Sequence, residues 1–228
     1  MPFLLTHHQS WPIIEDEPIA NGTHRRGSAT WNTAGARAPV TQKQREGYEM
    51  TNLNGTWILD PAHTEIKFVA RHAMVTKVTG KFTEFDSNIV VDTDNPENSS
   101  AKVVIKADSL TTGNADRDGH VKGDDFFAVE KFPEITFVAT SFNIKNENEG
   151  TVTGDLTIKE TTKSVTLDVE VGGVAEDPFG NVRMGFEATT KINRKDFGVD
   201  WQAPLNTGGV LVSEEIKIQI DGSGIKQA

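Results

Sequence analysis

The chain has 228 residues, no cysteine and a net charge of −10. That length accommodates one large domain or two small ones, and the missing thiols exclude a disulfide framework, a thiolate nucleophile and a cysteine-held zinc. A chain this acidic is repelled by phosphate backbones and by anionic membrane surfaces, which argues against nucleic acid as a partner.

Residues 1–50 stand apart. They hold Trp11 and Trp31 but only Phe3 of the twelve phenylalanines, and their five basic and five acidic side chains cancel. Pro2, Pro12, Pro18 and Pro39 punctuate them and no hydrophobic period persists. The expectation is a disordered N-terminal extension over 1–50 ahead of a barrel domain over 51–228. The alternative is a tail that engages a partner. The opening "MPFLLTHHQSW" is too short in apolar residues for a secretory h-region, which needs roughly 7–15. No stretch reaches the roughly 18 apolar residues of a membrane span. A soluble, cytoplasmic protein is therefore expected.

From Trp57 onward, strand follows strand. "HTEIKFVARH" puts Ile66, Phe68, Ala70 and His72 on one face, and "GKFTEF" brings in Phe82. "AKVVIKADS" aligns Val103, Ile105 and Ala107. The long link 108–133 follows, in which "DDFFAVEKFP" predicts a brief helix with Asp124 as N-cap and Pro133 beyond its end. "EITFVATSF" aligns Ile135, Phe137 and Ala139. "TVTGDLTIKE" aligns Val152, Gly154, Leu156 and Ile158, and "SVTLDVEVGG" aligns Val165, Leu167, Val169 and Val171. "VRMGFEATTKI" gives Met184, Phe186, Ala188 and Ile192, and "EEIKIQIDG" gives Ile216, Ile218 and Ile220. The connections at 146–150, 159–163 and 177–181 are short and turn-rich, so successive strands are antiparallel.

Eight such strands with no long helix to cover them bury their dry faces by stacking as two sheets or by closing into a barrel. An eight-strand barrel has room for packed side chains or for one small ligand. Ala70, Ala107, Ala139, Gly154 and Ala188 fall on the inward face of five strands, which leaves volume unless larger neighbours fill it. A cavity walled by Ile, Val, Leu, Phe and Ala would take a lipid-like molecule, since a polar one would lose its hydration unrepaid.

"WILDPAHTEIKFVARHAMVTKVTGKFTEF", "RDGHVKGDDFF", "FPEITFVATSF", "GDLTIKETTKSVTLDVEV" and "GFEATTKINRKDFGVDW" resemble the YceI-like family over about residues 55–222. The resemblance implies an all-β, eight-stranded antiparallel up-and-down barrel of extended lipocalin type, with a short helical link near 114–131. It also implies a polyisoprenoid or quinone-like lipid as ligand and allows a homodimer, though no dimer seam is legible in the sequence; no cofactor is expected. Exported relatives carry a signal peptide that is not seen here. Glu160 stands where relatives often have glycine, which would cost about 1 kcal/mol if that position needs positive φ.

The expected ligand wall is Phe68, Ala70, His72, Phe82, Ile105, Phe137, Ala139, Leu156, Leu167, Phe186 and Ala188. Arg117, Asp118 and His120 are assigned to one mouth, where three roles remain open. They lock the long link, contact a ligand head group, or act as acid and base in an enzyme of lipophilic substrates. His72, on a dry face, reads either as a core histidine or as a polar tip orienting the ligand. A metal held by His63, His72 and His120 matches no compact motif. Trp57 and Trp201 are expected as plugs or mouth packing, and "NRKDFG" (193–198) as a turn. A filled-core stress or scaffold protein is the remaining alternative.

Overall fold

The computed structural model describes residues 53–206 and 208–228. The expected disordered extension over 1–50 lies outside the described residues.

The alternating segments form eleven strands that join into eight staves. The first stave is Gly55–Leu59 (β1) with Glu65–His72 (β2), the second Thr76–Phe82 (β3) with Phe85–Val91 (β4), and the third Ser100–Lys106 (β5) with Leu110–Thr111 (β6). Helix Ala115–Lys122 (α1) sits in the long link. Glu134–Ile144 (β7), Glu149–Ile158 (β8), Thr161–Glu176 (β9), Val182–Asn193 (β10) and Glu215–Lys226 (β11) complete the set.

Each stave pairs antiparallel with its neighbours in sequence. The ring closes because β11 pairs with β2 over Lys217–Asp221 and with β1 over Gly224–Lys226. Closure removes the two free edges that an open sheet would present. One end of the barrel carries the 73–75 hairpin, the α1 link, the 159–160 turn and the 194–214 segment. The other carries the links 92–99, 145–148 and 177–181.

Two bulges reset the alternation. One lies between Ala139 and Ser141 against β8, so Phe142 rather than Ser141 faces inward, opposite Val152. The other lies between Gly185 and Phe186 of β10 against β9. Beyond it, Val174 joins Met184 and the fully buried Trp57 in a small plug. The Trp57 indole donates to the Leu53 carbonyl at 2.8 Å.

The helix is not where its expected cap would put it. It starts after Asn114, whose side chain accepts from the Arg117 amide at 2.9 Å, and ends at Gly123. Residues 124–131 turn back instead: the Phe126 and Ala128 amides both donate to the Gly123 carbonyl. The 158–161 turn also differs from expectation. Positive φ falls on Lys159 (55°), not on Glu160, and the Lys159 ammonium donates to the Gly198 carbonyl at 2.9 Å.

Candidate functional site

The inward faces do not meet across the barrel axis. They enclose a cavity of about 1060 Å³ that reaches from the α1 end to the 145–148 hairpin. Ordinary ligand pockets run roughly 300–1,000 Å³, so this one is at the top of the range. Accessibility supports the same reading. Phe68, Val103, Phe137, Val165, Leu167, Val169, Phe186, Ile218 and Ile220 face inward yet are only half-buried. In a close-packed interior such residues would be covered.

Phe68, Ala70, His72, Phe82, Ile105, Phe137, Leu156, Leu167, Phe186 and Ala188 line the cavity. Ala139 does not: it precedes the bulge, and the Phe137 ring occupies the space over its cross-strand partner Gly154. The expectation that small residues create the volume also needs correction. Ala107 is buried in the packed core and Gly154 is covered by that ring, so of the five only Ala70 and Ala188 border the void. Val78, Ile89, Phe142 and Arg194 line it as well and were not singled out in the sequence; Val152, read there as inward-facing, and Trp201, expected as a plug or mouth packing, also line it. Alternation could have found Val78 and Ile89. The bulge hid Phe142.

Polar residues line both ends of the cavity, with Asn143, Asn146, Glu147 and Asn148 at one and Arg117, His120 and Arg194 at the α1 end. Asp118 accepts from the Thr112 amide at 2.8 Å and from the Thr111 hydroxyl at 3.0 Å. Burial pushes its carboxyl up, but the hydrogen bonds from Thr112 and Thr111 and the charge of Lys122 outweigh this and hold it below the ordinary value. Arg117 donates through Nε to the Thr112 hydroxyl at 2.7 Å and through a terminal nitrogen to the Thr112 carbonyl at 3.1 Å. These bonds tie α1 to the end of β6. Arg117 and His120 border the cavity, whereas Asp118 does not. His120 Nε2 lies 3.0 Å from an Asp125 carboxylate oxygen, and its ring stands edge-on to Phe126 and to Trp201.

Arg194, in the segment expected as a simple turn, is 4% exposed. Its Nε donates to the Ser213 carbonyl at 3.0 Å and its terminal nitrogens to the carbonyls of Val199 and Val212. It makes no salt bridge among the described residues, and burial lowers its pKa, partly offset by Glu214 and Asp200. The histidines do not converge: His63 pairs with Asp60 at 2.7 Å and His120 with Asp125. Among the described residues no group of three or more His, Asp or Glu side chains is placed to hold a metal ion, and no helix is long and apolar enough to cross a membrane.

A closed up-and-down barrel with an apolar middle and polar groups at its ends is a lipocalin-like fold. The YceI-like domain family matches residues 57–223, and the chain belongs to that family. A UPF0312 protein of Staphylococcus aureus (strain MSSA476) is 37% identical over 171 residues, which cover 75% of this chain and 95% of that protein. A YCEI protein of Campylobacter jejuni is 31% identical, with a TM-score of 0.60 over 69% of this chain and 90% of that one. A polyisoprenoid binding domain from Saccharophagus degradans, implicated in plant cell wall breakdown, shares the fold at 14% identity. Its TM-score is 0.57 over 75% of this chain and 98% of that one.

Proposed function

We propose that the barrel binds and carries a long-chain isoprenoid or similar amphiphilic lipid and performs no chemistry on it. The observation that carries this reading is the cavity of about 1060 Å³ with an aliphatic and aromatic wall supplied by every stave. Each methylene moved from water into such a wall gains about 0.8 kcal/mol. A chain of several isoprene units is therefore held without any specific polar contact. The polyisoprenoid-binding relative of the same fold supports the choice of chain. The chain is assigned to Phe68, Ala70, Phe82, Ile105, Phe137, Leu156, Leu167, Phe186 and Ala188. The polar head is assigned to the α1 end, within reach of His72, Arg117, His120 and the recessed Arg194.

Native mass spectrometry and organic extraction of protein purified from its own host test the proposal. The expected result is a co-purifying prenyl lipid, or stoichiometric uptake of an added polyprenyl compound. Repeated recovery of empty protein that also refuses added lipid defeats it. One feature favours a catalytic alternative: His120, paired with Asp125, borders the cavity. On the carrier reading His120→Ala weakens head-group contact and no turnover of a bound lipid exists to be lost.

A further inference from the structure

The β2–β3 hairpin stands at the α1 end and ends in a turn from His72 to Val75, closed by the Val75 amide donating to the His72 carbonyl at 3.1 Å. Both central residues have positive φ: Ala73 at 48° and Met74 at 62°. Turns of this kind strongly favour Asn-Gly or similar pairs, because residues with a Cβ are strained there. Here the pair is Ala-Met. Three bonds to the 194–214 segment hold the tip regardless. Ala73 N donates to Leu211 O at 2.7 Å, Arg71 N to the Ser213 hydroxyl at 2.9 Å, and Ser213 N to Arg71 O at 2.9 Å.

The strained turn presents apolar side chains to solvent. Met74 is 51% exposed and Val75 78%. Directly beneath them Arg71 and Lys77 face each other across the hairpin. Like charges placed so are destabilising, and neither has an ion-pair partner among the described residues. Ala70 and His72, just below the tip, line the cavity. Strain kept by surrounding bonds, a naked apolar tip and an uncompensated cation pair thus coincide at the mouth of the barrel.

We propose that the 71–77 hairpin tip docks transiently on an anionic lipid bilayer, with Met74 and Val75 entering the interface and Arg71 and Lys77 meeting the lipid phosphates. The net charge of −10 does not forbid this, because charges beyond a Debye length of roughly 8–10 Å are screened. It does limit the contact to the tip, since the adjoining link carries Asp116, Asp124, Asp125 and Glu130. The opposite end also exposes an aromatic, Phe179 at 89%. Its neighbours are Glu176 and Asp177, however, and an anionic surface repels them. The charges therefore choose the hairpin. Docked this way, the cavity mouth faces the membrane from which a lipid is drawn or to which it is returned.

Sedimentation with vesicles of mixed phosphatidylglycerol and phosphatidylcholine tests the contact without reference to the cavity's occupant. The wild-type chain should partition onto these vesicles and not onto pure phosphatidylcholine. Met74→Ser with Val75→Ser should weaken partition by about tenfold. Arg71→Gln with Lys77→Gln should weaken it and flatten its salt dependence. Ala73→Asn with Met74→Gly should raise the melting temperature while lowering partition. Phe179→Ser should leave partition unchanged. Binding that is absent in the wild type, that survives loss of Met74 and Val75, or that depends on Phe179 overturns the proposal. So does a tip that seats a protein partner while the chain ignores vesicles. Failure here leaves lipid loading untouched, and failure of lipid loading leaves vesicle partition untouched, so the two readings fall separately.

Discussion

Two glycine-to-alanine changes distinguish an empty interior from a filled one. A Cβ added at Gly222 would lie 2.3 Å from Cζ of Phe186, and one added at Gly154 would lie 2.5 Å from Cζ of Phe137. At both positions the phenyl ring must move. Phe186 has the cavity beside it to move into. Its displacement costs about one off-rotamer side chain, roughly 0.5–1.5 kcal/mol. The more restricted unfolded chain returns roughly 0.4–1 kcal/mol. Gly222→Ala should therefore change stability by less than about 1 kcal/mol. At Gly154 the new atom also meets the Val138 carbonyl oxygen at 2.6 Å, which is backbone in a paired strand and cannot swing aside. Gly154→Ala should cost about 1–3 kcal/mol, as overpacking does. Urea unfolding reads both values, and titration with a fluorescent polyene lipid reads what the displaced Phe186 ring does to the cavity. Equal losses at the two sites, or a loss above about 2 kcal/mol at Gly222, would mean that the space beside Phe186 is not free.

On the outer face Glu149, Glu170 and Glu187 are direct cross-strand neighbours. Glu170→Lys should turn two repulsive pairs into attractive ones and stabilise by about 1 kcal/mol, a gain that shrinks in high salt when followed by thermal unfolding. Hydrogen bonds from Arg183 and then His63 hold the Asp60 carboxyl down at about 2, against an ordinary 3.8. A depressed carboxylate contributes its stability above the unfolded value and loses it as pH falls through the folded one. Acid titration by circular dichroism should thus show this contribution disappearing between about 4 and 2, and Arg183→Met should move the loss to higher pH. Asp118→Ala removes the acceptor of the Thr112 amide and Thr111 hydroxyl. It should cost about 1–3 kcal/mol and speed amide exchange in 112–122 while the staves stay protected.

The staves were legible because each carries its own period of two, and burial on one face enforces it. Ile66, Phe68, Ala70 and His72 needed no partner to be recognised as one face. The bulge at 139–141 was not legible, since it depends on how β7 meets β8 rather than on β7 itself, and with it went Ala139 and Phe142. The helix was displaced because Asp124 and Asn114 are both competent caps. What decides between them is Asp118, which pins the first turn of the Asn114 helix to Thr111 and Thr112 across the link. Arg194 was hidden for a related reason. Its partners Ser213, Val212 and Val199 include two residues that reach it only after the chain returns along the 194–214 segment.

The emptiness of the barrel follows from where its rings lie. In a filled barrel large side chains project toward the axis and interdigitate. Here Phe68 lies across Gly80, Phe186 across Gly222, and Phe137 across Gly154, each ring occupying the volume that a Cβ on the neighbouring strand would need. The glycines thus let the largest inward residues lie flat against the wall, and the axis stays open. Small residues act as berths for rings and not as gaps in themselves. The wall forfeits contacts that a packed core would make. On the carrier reading a lipid restores them, and because it binds the folded chain alone, loading raises stability in proportion to occupancy. An unloaded protein whose unfolding midpoint does not move on addition of saturating polyprenyl lipid would break that link between the open axis and its proposed content.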